Sequence, residues 1–220
     1  MKFKCLIFDL DGTLVDTLQD IAEAMNRALV FRGYPPIHPE NYVTLVGWGI
    51  KRLAFLALPA TARNEKTVEA LAADASRFYA ERPLAYSRPY PGILAVVAEL
   101  KRRRIKTAVL TNKPDPVTAL VVNGLFPPGS FDFVQGEKAG VPRKPDPAST
   151  WEILMELDRT PRETIFMGDS EIDMATAHAA DCHALGVSWG FRDRAVLEAA
   201  GADRIIDSPE ELLPLMDISM

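Results

Sequence analysis

Residues 3–13 read FKCLIFDLDGT, a short apolar run that ends abruptly in two acids and a glycine. Runs of aliphatic and aromatic residues that are bounded by polar or glycine residues are typical of buried strands. We therefore predict a buried strand that begins near Phe3 and is followed by a loop. The residues directly after this strand are the first candidates for a functional site.

Similar runs recur along the chain and alternate with helical patterns. Further strands are predicted at residues 105–112, 164–169, 183–187 and 204–206, and helices at 92–103 and 148–157. This alternation is typical of an α/β fold, in which a Rossmann-like core holds a parallel sheet. Ligands bind such sheets beyond the carboxyl ends of the strands, so the polar residues that follow the strands carry the functional argument.

One region interrupts the alternation. From residue 17 to about residue 88 we find only helical patterns, including an apolar face over residues 18–32. We predict an inserted small α-helical domain at residues 17–87, and a catalytic α/β core formed by residues 1–16 and 88–220.

Composition limits the class of protein. The chain has 220 residues, 48% of them hydrophobic and 25% charged, which argues against disorder. Its net charge of -5 offers no general attraction to nucleic acid or to anionic membranes. No apolar run reaches the roughly 18 residues that span a bilayer. We therefore expect a cytoplasmic protein without nucleic-acid or membrane partners.

Asp9 and Asp11 lie two residues apart at the end of the first predicted strand. Along an extended chain their side chains point the same way. Two adjacent carboxylates repel each other unless something neutralises them, and a divalent cation does so. Oxygen ligands without nearby Cys or His favour Mg²⁺. Gly12 permits a tight turn, and the Thr13 hydroxyl and backbone amide can donate to an anion.

Three further clusters follow the first. The TNK segment at residues 111–113 ends a predicted strand and offers a hydroxyl and an amide. Lys144 lies between prolines in RKPDP, on a stiffened loop. Asp169 follows a predicted strand, and Asp173 lies one helical turn further on. Together with the first acids, these clusters supply carboxylates, a cation and hydroxyl donors.

The ordered set DxDGT, T-N, K-P and GDxxxD resembles the haloacid dehalogenase-like hydrolases over essentially the whole chain. The resemblance is closest to the branch with a small helical cap inserted after the first motif. The opening DLDGTLVDT looks most like the phosphoglycolate phosphatase relatives in that branch.

The resemblance implies a role for each acid. Asp9 matches the nucleophile that forms an aspartyl-phosphate, and Asp11 matches the general acid and base. The metal ligands implied for Mg²⁺ are Asp9, Asp11 through its backbone carbonyl, and Asp169, with Asp173 in a direct or supporting role.

Two further motifs match the phosphate site. Thr111 and Asn112 stand at the phosphate-binding position, and Lys144 matches the lysine that offsets negative charge on nucleophile and phosphoryl group. The need is physical, because an anionic carboxylate cannot approach an anionic phosphate without cations nearby.

Substrate choice in this family is attributed to the cap. The segment LVGWGIKR at residues 45–52 resembles a glycine-containing cap loop. Gly47, Trp48 and Gly49 form its predicted turn, and Lys51 and Arg52 could contact a second anionic group of the substrate.

The resemblance implies a magnesium-dependent phosphomonoester hydrolase for a small phosphorylated metabolite such as phosphoglycolate, acting as a monomer or homodimer. Alternatives stay open. Gly49 and Arg52 also fit a G-x-x-R pattern of sugar phosphomutases, although Trp48 stands where those proteins carry a lysine. Lys51 is a candidate Schiff-base lysine for a phosphonatase. A catalytically silent binding protein is the third alternative, against which the intact acids and Lys144 argue.

Overall fold

The computed structural model describes residues 3–216. The strands are β1 (Cys5–Phe8), β2 (Val15–Asp16), β3 (Arg88–Pro89), β4 (Lys106–Pro114), β5 (Phe133–Glu137), β6 (Thr164–Gly168), β7 (His183–Val187) and β8 (Arg204–Ile206). Among these residues, six strands form one sheet in the order β5-β4-β1-β6-β7-β8. All its pairings are parallel. The predicted α/β parallel sheet is confirmed.

The helices are α1 (Leu18–Phe31), α2 (Ile50–Ala57), α3 (Glu65–Glu81), α4 (Ile93–Arg102), α5 (Asp115–Leu125), α6 (Ala148–Glu156), α7 (Glu171–Ala179), α8 (Arg194–Ala199) and α9 (Leu212–Leu215). Short 3-10 helices occur at Pro39–Thr44, Ala60–Ala62, Pro161–Glu163 and Pro209–Glu211. No helix in this part of the chain is long and apolar enough to cross a membrane.

Alternation along β1 explains how the sheet is covered on both faces. Leu6 and Phe8 belong to one apolar cluster, which includes residues of α4, α5 and α9. Cys5 and Ile7 belong to a second cluster with residues of α6, α7 and α8. Successive side chains of a strand point to opposite faces, so a continuous apolar run is what a strand buried on both faces requires.

The inserted helical region lies between β2 and β3 and contains α1, α2 and α3. It has an apolar cluster of its own, in which Met25, Leu53 and Leu71 are almost fully buried. Isolated amphipathic helices are marginal in water, so packing of these three apolar faces against one another stabilises them. The predicted insertion is therefore confirmed as a structural feature, while the exact domain limits stay a prediction.

The two connections to the inserted region lie side by side. β2 and β3 pair antiparallel, with Val15 opposite Pro89 and Asp16 opposite Arg88. Asp20, near the start of α1, is buried and accepts hydrogen bonds from the Ser87 amide at 2.7 Å and the Ser87 hydroxyl at 2.6 Å. Charge-assisted bonds of this length are among the strong ones, so the two connections are tied together.

One strand of the sheet is absent from the prediction. The edge strand β5 reads FVQGE and has only two apolar residues, too few to stand out as a run. Its buried Gln135 donates to the Ser149 hydroxyl at 2.9 Å, so a polar pair replaces an apolar contact. Register with β4 rather than hydrophobicity defines this strand.

Candidate active site

The site lies at the carboxyl edge of the sheet, where its central strands end. β1 lies between β4 and β6. Asp9 follows β1, Thr111 lies near the end of β4, and Asp169 follows β6. Parallel strands present their carboxyl ends at one edge, so residues that are distant in sequence meet there.

Three carboxylates converge at this edge. One carboxylate oxygen from each of Asp9, Asp169 and Asp173 lies within 4.8 Å of the others, and all three residues are buried. Gly12 makes this closeness possible. A Cβ at residue 12 would lie 2.3 Å from Asp169 Oδ2, and its φ of +85° favours glycine.

Lys144 supplies the positive charge. Its Nζ lies 2.8 Å from Asp9 Oδ1 and 2.7 Å from Asp173 Oδ1, and its side chain is only 3% exposed. Burial alone lowers the pKa of a lysine, but the carboxylates of Asp173 and Asp9 outweigh burial and hold the pKa of Lys144 above its usual value. Lys144 is therefore a permanent cation between two acids.

Even with this lysine, the acids are short of neutralising charge. Burial, opposed by Lys144 and reinforced by Asp173, raises the pKa of Asp9 to about 7. Burial and the charges of Asp173 and Asp9 also raise the pKa of Asp169 well above its usual value. Carboxylates in such surroundings keep their protons to higher pH unless a further cation is present.

The donor set fits a hard divalent cation. Asp169 accepts from the Phe191 amide at 2.7 Å and from the Thr13 hydroxyl at 3.3 Å, which orients it toward Asp9. Both oxygens of Asp173 are engaged, one by Lys144 and the other by the Ser170 hydroxyl at 2.6 Å. Asp9, Asp169 and Asp173 each present a carboxylate oxygen that could bind the ion, and Asp173 also pairs with Lys144.

Asp11 has different surroundings. Its carboxylate accepts from the Thr17 hydroxyl at 2.7 Å and from Lys113 Nζ at 3.0 Å and 3.2 Å. It does not belong to the three-carboxylate group. A metal-binding role for Asp11 thus stays a prediction for its backbone carbonyl. The two acids of the first motif have separate partners, as two chemical roles require.

The two residues predicted to bind phosphate differ. Thr111 is buried and borders the cavity beside Asp9. The Asn112 side chain accepts from the Lys144 amide at 2.9 Å and donates to the carbonyls of Lys144 and Gly47, both at 3.1 Å. Asn112 therefore holds the lysine loop and the inserted region in place. Its side-chain donors are therefore already used, and a contact of its backbone amide with phosphate stays a prediction.

The segment predicted to choose the substrate borders the cavity only in part. Gly47 and Gly49 line it, together with Ile50 and Leu53. Trp48 is 38% exposed and does not line it. Lys51 and Arg52 do not line it either.

The contacts of the two cap cations explain their placement. Lys51 Nζ pairs with Glu69 at 2.8 Å on an exposed face, and the Arg52 guanidinium lies over the Phe55 ring at 5.2 Å. These contacts give no support to the predicted role of Lys51 and Arg52 in binding substrate.

Two cations at the cavity were not predicted as site residues, Lys113 and Arg192. Lys113 lies two residues after Thr111, so strand alternation places both on one face and could have identified it. Arg192 follows β7, and the rule of inspecting residues after each strand would have included it. Its guanidinium donates to the carbonyls of Val43 and Val46, the latter at 2.8 Å, and thus joins the core to the inserted region.

Comparison with known proteins agrees with this geometry. Residues 6–187 match the haloacid dehalogenase-like hydrolase family. The chain is 29% identical to a phosphoglycolate phosphatase of Aquifex aeolicus over 97% of both chains. It is 32% identical to one from Chromobacterium violaceum, over 97% of this chain and 96% of the relative.

Comparison with solved structures also finds similarity over nearly the whole chain. A protein from Lactobacillus delbrueckii subsp. bulgaricus superposes with a TM-score of 0.91 at 32% identity, covering 98% of this chain and 99% of the other. CbbY from Rhodobacter sphaeroides, in complex with phosphate, superposes with a TM-score of 0.82 at 27% identity, covering 98% and 100%.

The fold is a parallel α/β core with an inserted helical region, and at the sheet edge a lysine bridges a group of aspartates. Together these features define a class of hydrolase. The chain belongs to the haloacid dehalogenase-like hydrolase family. The predicted family is therefore confirmed.

Proposed function

We propose that this protein is a magnesium-dependent phosphatase that hydrolyses phosphoglycolate through an aspartyl-phosphate. The observation that carries the proposal is the position of Asp9, a carboxylate held by Lys144 at 2.8 Å that borders a cavity. A nucleophilic carboxylate needs an adjacent cation to accept a phosphate dianion, and Lys144 is that cation.

The residues divide the chemistry between them. Asp9 attacks phosphorus, and the bond to the ester oxygen breaks as that oxygen takes a proton from Asp11. Water then attacks the aspartyl-phosphate, gives its proton to Asp11 and restores the Asp9 carboxylate as phosphate leaves. Thr111 and the backbone amide of Asn112 bind phosphoryl oxygens.

Asp9 and Asp169, with the Asp11 carbonyl, would hold Mg²⁺, and the ion when bound supplies positive charge to the phosphoryl oxygens. The converging carboxylates and the raised pKa of Asp9 support this part of the proposal.

Two observations support phosphoglycolate in particular. Relatives about as long as this chain, which it covers almost completely, are named phosphoglycolate phosphatases. The inserted region lines the cavity with small or apolar side chains, among them Ala24, Met25 and Leu53, and this lining favours a short substrate. The contacts of Lys51 and Arg52 do not favour the phosphonatase or mutase alternatives.

The proposal is tested by phosphate release from phosphoglycolate, with sugar and nucleotide monophosphates alongside. We expect turnover in Mg²⁺, none in chelator, and none in Asp9→Asn. Asp115→Asn, an acid at the start of α5, is the matched control and should retain turnover. Full activity of Asp9→Asn, or activity that does not depend on the metal, would contradict the mechanism. Interconversion of sugar phosphate isomers without phosphate release would indicate a mutase.

A further inference from the structure

Lys113 is a buried cation that the mechanism above does not use. It extends from the end of β4, its side chain is 5% exposed, and its Nζ lies 3.0 Å from Asp11 Oδ1. Burial lowers its pKa, but the charge of Asp11 and contact with Tyr79 outweigh burial, so the pKa lies above the usual lysine value. A buried, permanently charged ammonium is costly unless it has anionic partners.

Apart from Lys144, which contacts Asp9, few cations can reach a ligand in this cavity. Among residues 3–216, the positively charged side chains that border it are Lys113 and Arg192. Arg192 is occupied by the carbonyls of Val43 and Val46 and by Glu171 at 3.3 Å. Lys113 has three N–H donors, and in the described part of the chain Asp11 is the anion that it contacts. Lys113 can therefore take a second anion.

Beside Lys113 of the core, the inserted region contributes Tyr79 to the same site. It belongs to α3 in the inserted region and borders the same cavity, and its ring centroid lies 4.1 Å from Lys113 Nζ. Its hydroxyl is buried and interacts with Lys113 and Ser87, but among residues 3–216 no acceptor lies within ordinary hydrogen-bonding geometry of its proton. A buried hydroxyl without an acceptor costs free energy, and an anionic ligand beside Lys113 would provide that acceptor.

The position of Lys113 sets where a second anion would lie. In the proposed reaction Asp11 exchanges a proton with the ester oxygen, so a cation in contact with Asp11 lies close to that oxygen. In phosphoglycolate a single methylene separates the ester oxygen from the carboxylate. A carboxylate at that distance can reach Lys113 while the phosphoryl group stays at Asp9.

We propose that Lys113 and the Tyr79 hydroxyl bind the substrate's carboxylate and thereby select phosphate esters with an anionic group one carbon from the ester oxygen. This inference rests on the proposed function and deepens it. It transfers the expected contact with the second anion from Lys51 and Arg52 to a core lysine and a tyrosine of the inserted region. Lys113 is thus a specificity-determining residue that also contacts Asp11.

The test compares phosphoglycolate with its uncharged amide, carbamoylmethyl phosphate, as substrates in Mg²⁺. For the unaltered chain we expect kcat/KM to favour the acid by about 30-fold or more, as loss of one partner of a buried charge pair implies. In Lys113→Met this acid-to-amide ratio should approach one. Lys113→Arg should keep part of the preference. Tyr79→Phe, which removes only the hydroxyl, should lower the ratio several-fold, mainly through KM for the acid.

Two controls separate recognition from other effects. Lys106→Met changes an exposed lysine at the opposite end of the same strand and should leave the ratio unchanged. Lys51→Met tests the competing prediction from the sequence. If Lys113→Met does not fold, the unaltered chain still tests the idea with esters whose carboxylate lies one, two or three carbons from the ester oxygen. The one-carbon ester should have the highest kcat/KM.

Several results would overturn the inference. A ratio that survives in Lys113→Met, an equal loss for acid and amide, or a ratio that collapses only in Lys51→Met would each reject recognition by Lys113. Any of these outcomes leaves the phosphatase itself intact. Absence of turnover with every phosphate ester would instead reject the proposed function, and the inference with it.

Discussion

The ammonium group of Lys144 pairs with two carboxylates, that of Asp9, the nucleophile of the proposed reaction, and that of Asp173. Lys144 contacts both Asp9 and Asp173, and the chain around it is held by Asn112, which bonds to its amide and its carbonyl. The position of the charge therefore depends on hydrogen bonds between the Asn112 side chain and the Lys144 backbone, 32 positions apart in sequence.

Lys144→Met removes that charge and leaves two buried carboxylates unpaired. We expect phosphate release to fall by about 100-fold or more, since preorganised charge of this kind typically contributes that much. Without metal we also expect a loss of about 3 kcal/mol in the free energy of unfolding. Steady-state kinetics and urea denaturation measure the two effects.

Lys138→Met serves as its control, since that lysine is half-exposed and lies 3.8 Å from Asp115. Its activity should be unchanged and its stability should shift by less than about 1 kcal/mol. Wild-type turnover in Lys144→Met would show that the cation is not needed.

At this scale the sequence identifies residues better than it identifies their contacts. Asp9, Thr111 and Asp169 each follow or end a strand, so a local pattern brings them to one edge. The direction of the Asn112 amide and the pairing of Lys113 with Asp11 depend on side chains that arrive from distant segments. No spacing along the chain encodes those contacts.

Strands and loops, like single residues, are predictable where a local sequence pattern defines them and not where a distant contact does. The strands β1, β4, β6, β7 and β8 have apolar runs and were predicted, whereas β5 depends on pairing with β4. The loop before α2 was predicted from its glycines, and Gly47 and Gly49 do border the cavity. The direction of Lys51 could not be predicted, because its partner Glu69 lies on another helix.

Arg192 makes two of the hydrogen bonds that join the core to the inserted region. It donates to two carbonyls of the segment that precedes α2, and its side chain is only 13% exposed. In Arg192→Gln the shorter side chain cannot donate to both carbonyls as the guanidinium does. The inserted region should therefore be held less firmly beside the cavity. We expect KM for phosphoglycolate to rise by about tenfold, and amide hydrogen exchange to accelerate at residues 43–49.

Arg194→Gln is the matched control, two residues away. Arg194 pairs with Asp207 on the surface, and its loss should affect neither KM nor exchange at residues 43–49. Equal effects of the two substitutions would show that Arg192 does not hold the inserted region.

At the scale of the whole molecule, the buried acids of the site lower the free energy of unfolding by an amount that depends on pH. The pKa of Asp9 is raised to about 7 in the folded protein, against a usual value of 3.8. Between these values the folded state binds more protons than the unfolded state, so stability falls as pH rises. The slope is at most ~1.4 kcal/mol per pH unit for one proton. Carboxylates of lowered pKa, such as Glu99 at about 2, are already ionised in this range.

We therefore expect the melting temperature of the metal-free protein to fall between about pH 5 and pH 7. Mg²⁺ binds the ionised carboxylates, so its stabilising effect should grow over the same range. Thermal unfolding in chelator and in Mg²⁺ at several pH values measures both trends. Asp9→Asn should flatten the metal-free curve. A melting temperature that rises with pH in chelator would contradict the direction of the Asp9 shift.

The paired connections at β2 and β3 have a consequence for how this molecule can diversify. The chain leaves the core and returns to it through residues that face each other, with Val15 opposite Pro89. A segment whose two ends start side by side can be lengthened, shortened or exchanged as one module without displacing the strands beneath it. The reacting groups belong to the core, while half of the residues that line the cavity come from the module. Recombination at this junction can therefore change which substrate binds, while the core residues that cleave the substrate stay the same.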